Sequence, residues 1–470
     1  MYSTMAARCF VVLFFLSFLV MSVLAIPSKR RRGSSFSTIK QLNRKGPYIG
    51  LITVYSPEEE AFFRTGAFKP DAKHPFVDLS GSKYDVEGRR YRVGKINGKK
   101  VVFVRCGVGM TNAAAATQQM LDLFDVTGIV HFGISGNLND SMSIGDVTIP
   151  KQFAHTGLWN WLNPNGTMDP ADVPYLEVGS YNVPEGDGVN LLGQIGYSTE
   201  QLFSVSREPN TAVSLWWMEV SQQWLQLARS LEGMELERCV NSSLCLPEKP
   251  KLVVGLNGAT SNIFLDNAAY RDFLFQSFEV SSSDMESSAV TCLSNGFPVI
   301  VIRGLSDLAG AESGDNAVHT FGSLAALNAA KAVLEFISKL PGYNSPLQHY
   351  MGSSAFEAAG TNFICDTFYK PRFLYESLIK KCATADIFVD NAAYRDFLYK
   401  AFGVSSADME SSAVTCLSNG IPVIAIGGMS DLAGGQSGEN AMDTYGSLAA
   451  LNTSKAALKF ISKLPGYNSR

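Results

Sequence analysis

YIGLITVYSPEEEAFF, residues 48–63, changes character halfway along. Tyr48 to Tyr55 is a short apolar run rich in β-branched and aromatic residues, the composition of a strand. Pro57 then suits the first turn of a helix, Glu58, Glu59 and Glu60 place negative charge at its start, and Ala61, Phe62 and Phe63 supply apolar residues. A strand that runs straight into a helix is the building unit of a layered α/β domain.

The same alternation continues outward. Arg90 to Ile96, Val101 to Cys106, Gly128 to Phe132, Asp146 to Ile149 and Lys251 to Leu256 read as strands, while the Ala-rich Thr111 to Phe124 reads as helix. Glycines mark the strand ends, Gly107 and Gly109 in CGVGMTN and Gly133 and Gly136 in HFGISGN. A polar stretch between Leu158 and Gly196 leads to a helical segment around Trp216 to Leu231. From Ile263 to Ser345 the pattern is helix, helix, strand (Pro298 to Arg303), loop and a final helix ending at Leu340.

Composition bounds the rest. With 470 residues, 46% hydrophobic and 17% charged, the chain is globular. A net charge of −4 gives no electrostatic case for nucleic acid, which demands a basic face. Residues 1–25 carry Arg8, an apolar run and the small residues of Val23-Leu24-Ala25, the layout of a signal peptide leading to the secretory pathway, extracellular or vacuolar. The alternative is a membrane anchor through residues 9–26, with the basic Lys29 to Arg32 just behind it. Residues 26–46 are basic and Ser-rich without a hydrophobic period and are expected to be a flexible lead-in. Eight cysteines less Cys9 leave an odd seven, of which Cys239 and Cys245 bracket a short loop and are expected to pair; Cys106, Cys292 and Cys416 read as small core residues. Asn139, Asn165, Asn241 and Asn452 stand in glycosylation tripeptides. No metal-ligand spacing occurs, and no cofactor is implied.

The chain then repeats itself. Residues 387–469 match 263–345 at roughly three-quarters of positions without a gap, and DMESSAVTCLSNG recurs letter for letter from Asp284 and from Asp408. The expected organisation is a main domain over 47–345, a linker over 346–386 and a partial repeat over 387–470.

Three acids stand where chemistry could be done. Ser283 and Glu286 have the spacing of a capping box, but an ionised Glu286 could equally accept hydrogen bonds from both hydroxyls of a vicinal diol. Asp307 follows an apolar strand at the carboxyl end, where ligands collect in α/β sheets, or else caps the next helix as a turn residue. Glu60 by itself reads as an acid in the first turn of a helix.

Taken in order, IGLITVYSPEEEAF, RCGVGMTNAAAATQQML, HFGISGNLNDSMSIGDVTIP, IFLDNAAYRDF, SDMESSAV and VIRGLSDLAG resemble the nucleoside phosphorylase and nucleosidase superfamily, in particular methylthioadenosine/adenosylhomocysteine nucleosidases, and the wording is similar to the bark and vegetative storage proteins. The resemblance implies a three-layer αβα fold on a central mixed sheet and a purine nucleoside as ligand. It implies that Glu60 positions the attacking water, that Phe264 stacks on the base with Leu265 at its edge, and that Met285 and Glu286 hold the ribose. It also implies that Asp307 is the acid at the base, supported by Ser306 and Arg303, with Gly133 at the turn that closes the pocket, and that the chains associate as a homo-oligomer. Two departures bear on the nucleophile. Ile134 stands where the family carries a Ser that helps hold water or phosphate, and TVYSPEEE replaces the phosphorylase loop whose Arg clamps phosphate, so water is favoured over phosphate. Storage without turnover is the alternative. The second copy keeps Phe388, Met409, Glu410 and Asp431 but has Gly427 for Arg303 and Asp443 for His319, and it brings no second EEE run; one complete site is expected.

Overall fold

A computed structural model describes residues 27–79, 88–162, 173–176, 194–203, 212–294, 296–311, 317–341, 381–417, 423–435 and 441–464. The signal-peptide residues 1–25, Asn165 and residues 342–380, which make up most of the expected linker, lie outside that set.

The expected flexible lead-in is instead a helix, α1, Pro27–Asn43. Its basic N-terminal half hides an apolar spacing at the other end: Ile39 and Leu42, three residues apart on one face, are 4% and 0% exposed and belong to the same buried cluster as Tyr48 and Val77. Asn43 fixes the exit by donating its amide to the Leu123 carbonyl.

Among the described residues the main sheet has 13 strands. β1, Tyr48–Thr53, is followed by α2, Ser56–Arg64, as the period change requires. β2 is Arg89–Ile96, β3 Lys99–Arg105, α3 Met110–Leu123 and β4 the long Val126–Asn137. β1 is parallel to both β3 and β4, with Leu51 opposite Phe103 on one side and Val130 on the other. That position explains why its six residues are all buried. The rings of Phe62, Phe103 and Phe132 pack together beside it.

β5 is Val147–Ile149. The expected helix around Trp216 to Leu231 is shorter, α4 at Gln222–Ala228; strands occupy Ala212–Leu215 and Trp217–Glu219 before it. Further on come β9 at Asn257–Thr260, α5 at Ala268–Phe278, β10 at Val280–Asp284, α6 at Ser287–Cys292, β11 at Val299–Leu308 and α7 at Ala317–Lys339. β11 lies parallel to β4 and β10 antiparallel to its end, so the sheet is mixed. The carboxyl ends of β1, β3, β4 and β11 converge, and β10 delivers Asp284 to the same edge.

Apart from the strand Ala212–Leu215, these strands and helices form one compact unit, and a second unit combines residues 155–217 with most of the C-terminal repeat. Within the second unit, β6 (Trp159–Leu162), β7 (Val173–Leu176) and β8 (Gln194–Tyr197) make a small sheet, and β12 (Ile387–Asp390) from the repeat joins it. The repeat also forms α8, Ala392–Phe402, and α9, Ala441–Ile461. Its counterpart of β11 is not a strand: Val423 and Ile424 are 42% and 50% exposed, where Val299 and Ile300 in the first copy are 2% and 0%. A parallel strand cannot persist without a neighbour to take its hydrogen bonds, and β4 is already paired. Cys416, read as a core residue, is exposed, while Cys239 and Cys245 are joined as expected.

Replacing Leu42 by Ala should cost about 2–5 kcal/mol in a urea titration, as for a core leucine, whereas Phe36→Ala on the exposed part of α1 should stay within about 0.5 kcal/mol. Equal, negligible effects would show that the helix is not part of the core.

Candidate functional site

The convergence of strand ends centres on Arg303, whose guanidinium is wholly buried. Nε donates to Asp284 Oδ2 at 2.9 Å, and Nη2 lies 2.9 Å from the Ser287 hydroxyl, 2.6 Å from His131 Nε2 and 3.7 Å from Glu286 Oε2. Nη1 is buried and has no hydrogen-bond partner among the described residues.

His131 belongs to this arrangement and carried no signal in the sequence beyond its place in β4. Its Nδ1 is 3.0 Å from the Ile52 carbonyl oxygen. A carbonyl only accepts and a guanidinium only donates, so the imidazole is neutral with its proton on Nδ1 and its Nε2 accepting from Arg303. Burial and the Arg303 charge push its pKa down to about 3, which is consistent with that state.

Asp284 anchors the other side. Burial alone would raise its carboxyl, but Arg303 and the Ser287 hydroxyl and N–H outweigh it and hold the group below the usual carboxylate range. Asp284 also accepts from the Thr260 hydroxyl and the Glu286 and Ser287 N–H groups. Asp284 therefore caps α6, and the capping box expected between Ser283 and Glu286 does not form; Ser283 lies in β10. Glu286 is left free for another task.

Glu286 Oε1 instead accepts from the Gly109 N–H at 2.8 Å, at the start of α3. Gly109 has φ of +96°, a backbone conformation that a side chain would strain, which accounts for the second glycine of CGVGMTN. Glu286 is 4% exposed. Its pKa is pushed up to about 7, chiefly by burial, with Asp284 and Glu58 adding to the rise and Arg303 and the Gly109 N–H opposing it.

The acid of the EEE run that enters the site is Glu58, not Glu60. Glu58 is 2% exposed, whereas Glu60 faces solvent. Helix phase decides this: Glu58 stands three residues after the helix cap Tyr55, and its carboxylate folds back over the end of β1. Oε2 accepts from the Thr53 hydroxyl and the Val54 N–H, both at 2.8 Å, and Oε1 accepts from the Ile134 N–H at 2.8 Å. Burial raises its pKa against the pull of Arg303 and these donors. Glu59 turns the other way and pairs with Arg92 and Arg105. Counting from the end of the strand, rather than along the run of acids, would have found Glu58.

Gly133 shows how tight the centre is. A Cβ there would lie 2.1 Å from Glu58 Oε1 and 2.7 Å from Arg303 Nη1. Only a residue without a side chain lets the carboxylate and the unpartnered guanidinium nitrogen share that space. The neighbouring Ile134 spends its N–H on Glu58, and its side chain approaches Gly322 of α7.

Asp307 is 9% exposed, with its pKa raised by burial and by the charge of Asp266, while the Ser306 hydroxyl works against the rise. Ser306 Oγ has one proton and two acceptors in reach, Asp307 Oδ1 at 2.6 Å and the Ser135 carbonyl at 3.1 Å. A protonated Asp307 can donate to Ser306 while Ser306 donates to Ser135, so every group is satisfied and the arrangement suits a carboxylic acid that keeps its proton.

The segment bearing Phe264 and Leu265 is tied at both sides of this cleft. Asn262 accepts from the Met110 N–H beside Gly109, and Arg271 donates to the Ala309 carbonyl just past Asp307. Phe264 is 59% exposed, an apolar ring with a free face. Met285 is half-buried next to Glu286. In the repeat, Glu410 and Asp431 are both exposed, and Asp408 keeps its bonds to Thr384 and Ser411 with no arginine beside it. Among the described residues no cluster of His, Cys, Asp and Glu could hold a metal ion.

A raised acid is most favourable to the fold when protonated. Glu286 therefore contributes stability that is fully present below pH 4.5 and is lost as pH rises through about 7. Glu286→Gln should flatten the fall in unfolding free energy between those values by up to about 1.4 kcal/mol per pH unit, read from urea midpoints. An unchanged slope would place the Glu286 pKa in the ordinary range.

A family model described as the Phosphorylase superfamily matches residues 49–338. Bark storage protein A of Populus deltoides is 32% identical over 325 residues, covering 67% of this chain and 98% of that protein. A 5′-methylthioadenosine/S-adenosylhomocysteine nucleosidase of Halalkalibacterium halodurans is 24% identical over 253 residues, 53% of this chain and 85% of that one. Among solved structures, the nucleosidase of the same name from Colwellia psychrerythraea in complex with adenine is 20% identical, with a TM-score of 0.42 over 62% of this chain and 95% of that chain.

Proposed function

We propose, from the premise that this chain belongs to the phosphorylase superfamily, that it hydrolyses the N-glycosidic bond of a purine nucleoside. The observation that carries the reading is the shared space at Gly133, where Glu58 Oε1 and the unpartnered Arg303 Nη1 both border the position a Cβ would take. An acceptor and a donor side by side, both desolvated, suit the two needs of a water oxygen that must be held and then lose a proton.

The other groups take complementary parts. Ionised Glu286 accepts from the ribose diol, with Met285 against the sugar, and Phe264 stacks on the base with Leu265 at its edge. As the bond to C1′ breaks, negative charge grows on the purine; Asp307 donates its proton to the base, and Ser306 orients that carboxyl. Water adds to C1′, its proton passes to Glu58, and free base and ribose result. The Ile134 N–H, committed to Glu58, is not available to an anion, which favours water over phosphate.

A second reading is a nitrogen store that keeps the fold and the pocket with little or no turnover. The likeness to Bark storage protein A over 98% of that protein favours it, and a secretory leader would serve it equally.

Incubation with adenosine, inosine or methylthioadenosine, with and without phosphate, should release free base at a rate independent of phosphate. Glu58→Gln and Asp307→Asn should each lower that rate by about 100-fold or more, and Glu60→Gln should leave it within about twofold. No base from any nucleoside, together with no binding of adenine, would leave storage standing alone.

A further inference from the structure

The repeat does not build a second site, yet one part of it is firmly docked. β12 runs parallel to β6 with Ile387 opposite Trp159, Phe388 opposite Asn160, Val389 opposite Trp161 and Asp390 opposite Leu162. The Trp159 N–H donates to the Asp386 carbonyl at 3.0 Å. Just past the strand, Asn391 is wholly buried and donates its amide to the Leu162 carbonyl at 3.1 Å, while its Oδ1 accepts from the Tyr394 N–H at 2.9 Å and so caps α8. Tyr394 stacks on Trp161 with centroids 4.3 Å apart.

The first copy supplies the control. Its Ile263–Asp266 segment is nearly the same tetrapeptide, followed by the same cap and helix, and Asn267 has φ and ψ of −147° and 114° against −135° and 115° for Asn391. The local shape is thus shared, but Ile263–Asp266 pairs with no strand and Asn267 is exposed. What differs is the presence of an open sheet edge. β6 has β8 on its other side, so removal of β12 would leave a row of unpaired backbone groups between two tryptophans, a surface prone to pair with any extended chain.

We propose that the edge of β6 is a strand-addition site, and that the role of the C-terminal repeat in this chain is to fill it with the segment Asp386–Tyr394. Recognition has the two components of this binding mode: backbone ladder bonds give the grip, and the buried Asn391 amide with the Tyr394 ring on Trp161 gives the selectivity for a strand that turns into a capped helix. The repeat acts as a built-in ligand that blunts an aggregation-prone edge, independently of what the nucleoside cleft does.

Hydrogen exchange on the full chain tests this. Phe388→Pro, which cannot continue a paired strand, and the double variant Asn391→Ala with Tyr394→Ala should each speed exchange of the Trp159 amide by about tenfold or more while β4 amides stay slow. A synthetic peptide of residues 385–396 added to the Phe388→Pro chain should restore the slow exchange, and a scrambled peptide should not. Unchanged Trp159 exchange in both variants would overturn the proposal, as would acceleration that the peptide fails to reverse while β4 remains protected.

Discussion

One buried guanidinium organises the functional half of this fold. Arg303 enters the protein interior from the middle of β11 with no solvent to neutralise it, and a lone charge there would cost several kcal/mol (~3–5 on removal of a partner). Asp284 answers that charge directly, held in place by Ser287 and Thr260. His131 answers it without adding charge, because its tautomer is fixed by the Ile52 carbonyl. What is left of the guanidinium faces Glu58 and Glu286, two acids whose burial raises their pKa. The parallel strands β1, β4 and β11 are the reason these groups meet: β4 carries His131, β11 carries Arg303, and β1 supplies the Ile52 carbonyl and leads into the helix that bears Glu58.

The C-terminal repeat lacks this arrangement although it preserves the counterparts of Glu286 and Asp307 in Glu410 and Asp431, both exposed. Gly427 takes the place of Arg303, and the strand that should carry it has no partner. Without the central charge Asp408 is partly exposed and is held by Thr384, Cys382 and Ser411. The material of the repeat is used elsewhere, at the sheet edge of the second unit, which shows how one sequence can serve as a cleft wall in one setting and as an added strand in another.

Much of the fold was legible because its signals are local. The change of period at Tyr55 and Ser56, the apolar run at 299–302 and the Gly107 and Gly109 turn mark elements that formed where expected, whereas Gly133 and Gly136, expected at a strand end, lie inside β4. Asp307 could be singled out because it follows an apolar run, whereas Arg303, Glu286 and Ser306 were named through the family resemblance. Other features escaped for physical reasons. β10, with the sequence VSSSD, is a buried strand whose serines conceal it, and α1 hides its two anchoring residues behind a basic half. Glu58 and Glu60 are chemically identical in the sequence, and only the 100° turn per residue of a helix separates the one that faces the core from the one that faces water. His131 could not be singled out, since a histidine in an apolar strand acquires meaning from a partner more than 170 residues away.

The most direct measurement is a crystal structure with a non-cleavable purine nucleoside analogue bound. The account predicts the purine between Phe264 and Asp307, both ribose hydroxyls on Glu286, and an ordered oxygen between Glu58 Oε1 and Arg303 Nη1 beneath C1′. A ligand whose sugar lies away from Glu286, or an oxygen held by Glu60 instead, would contradict it.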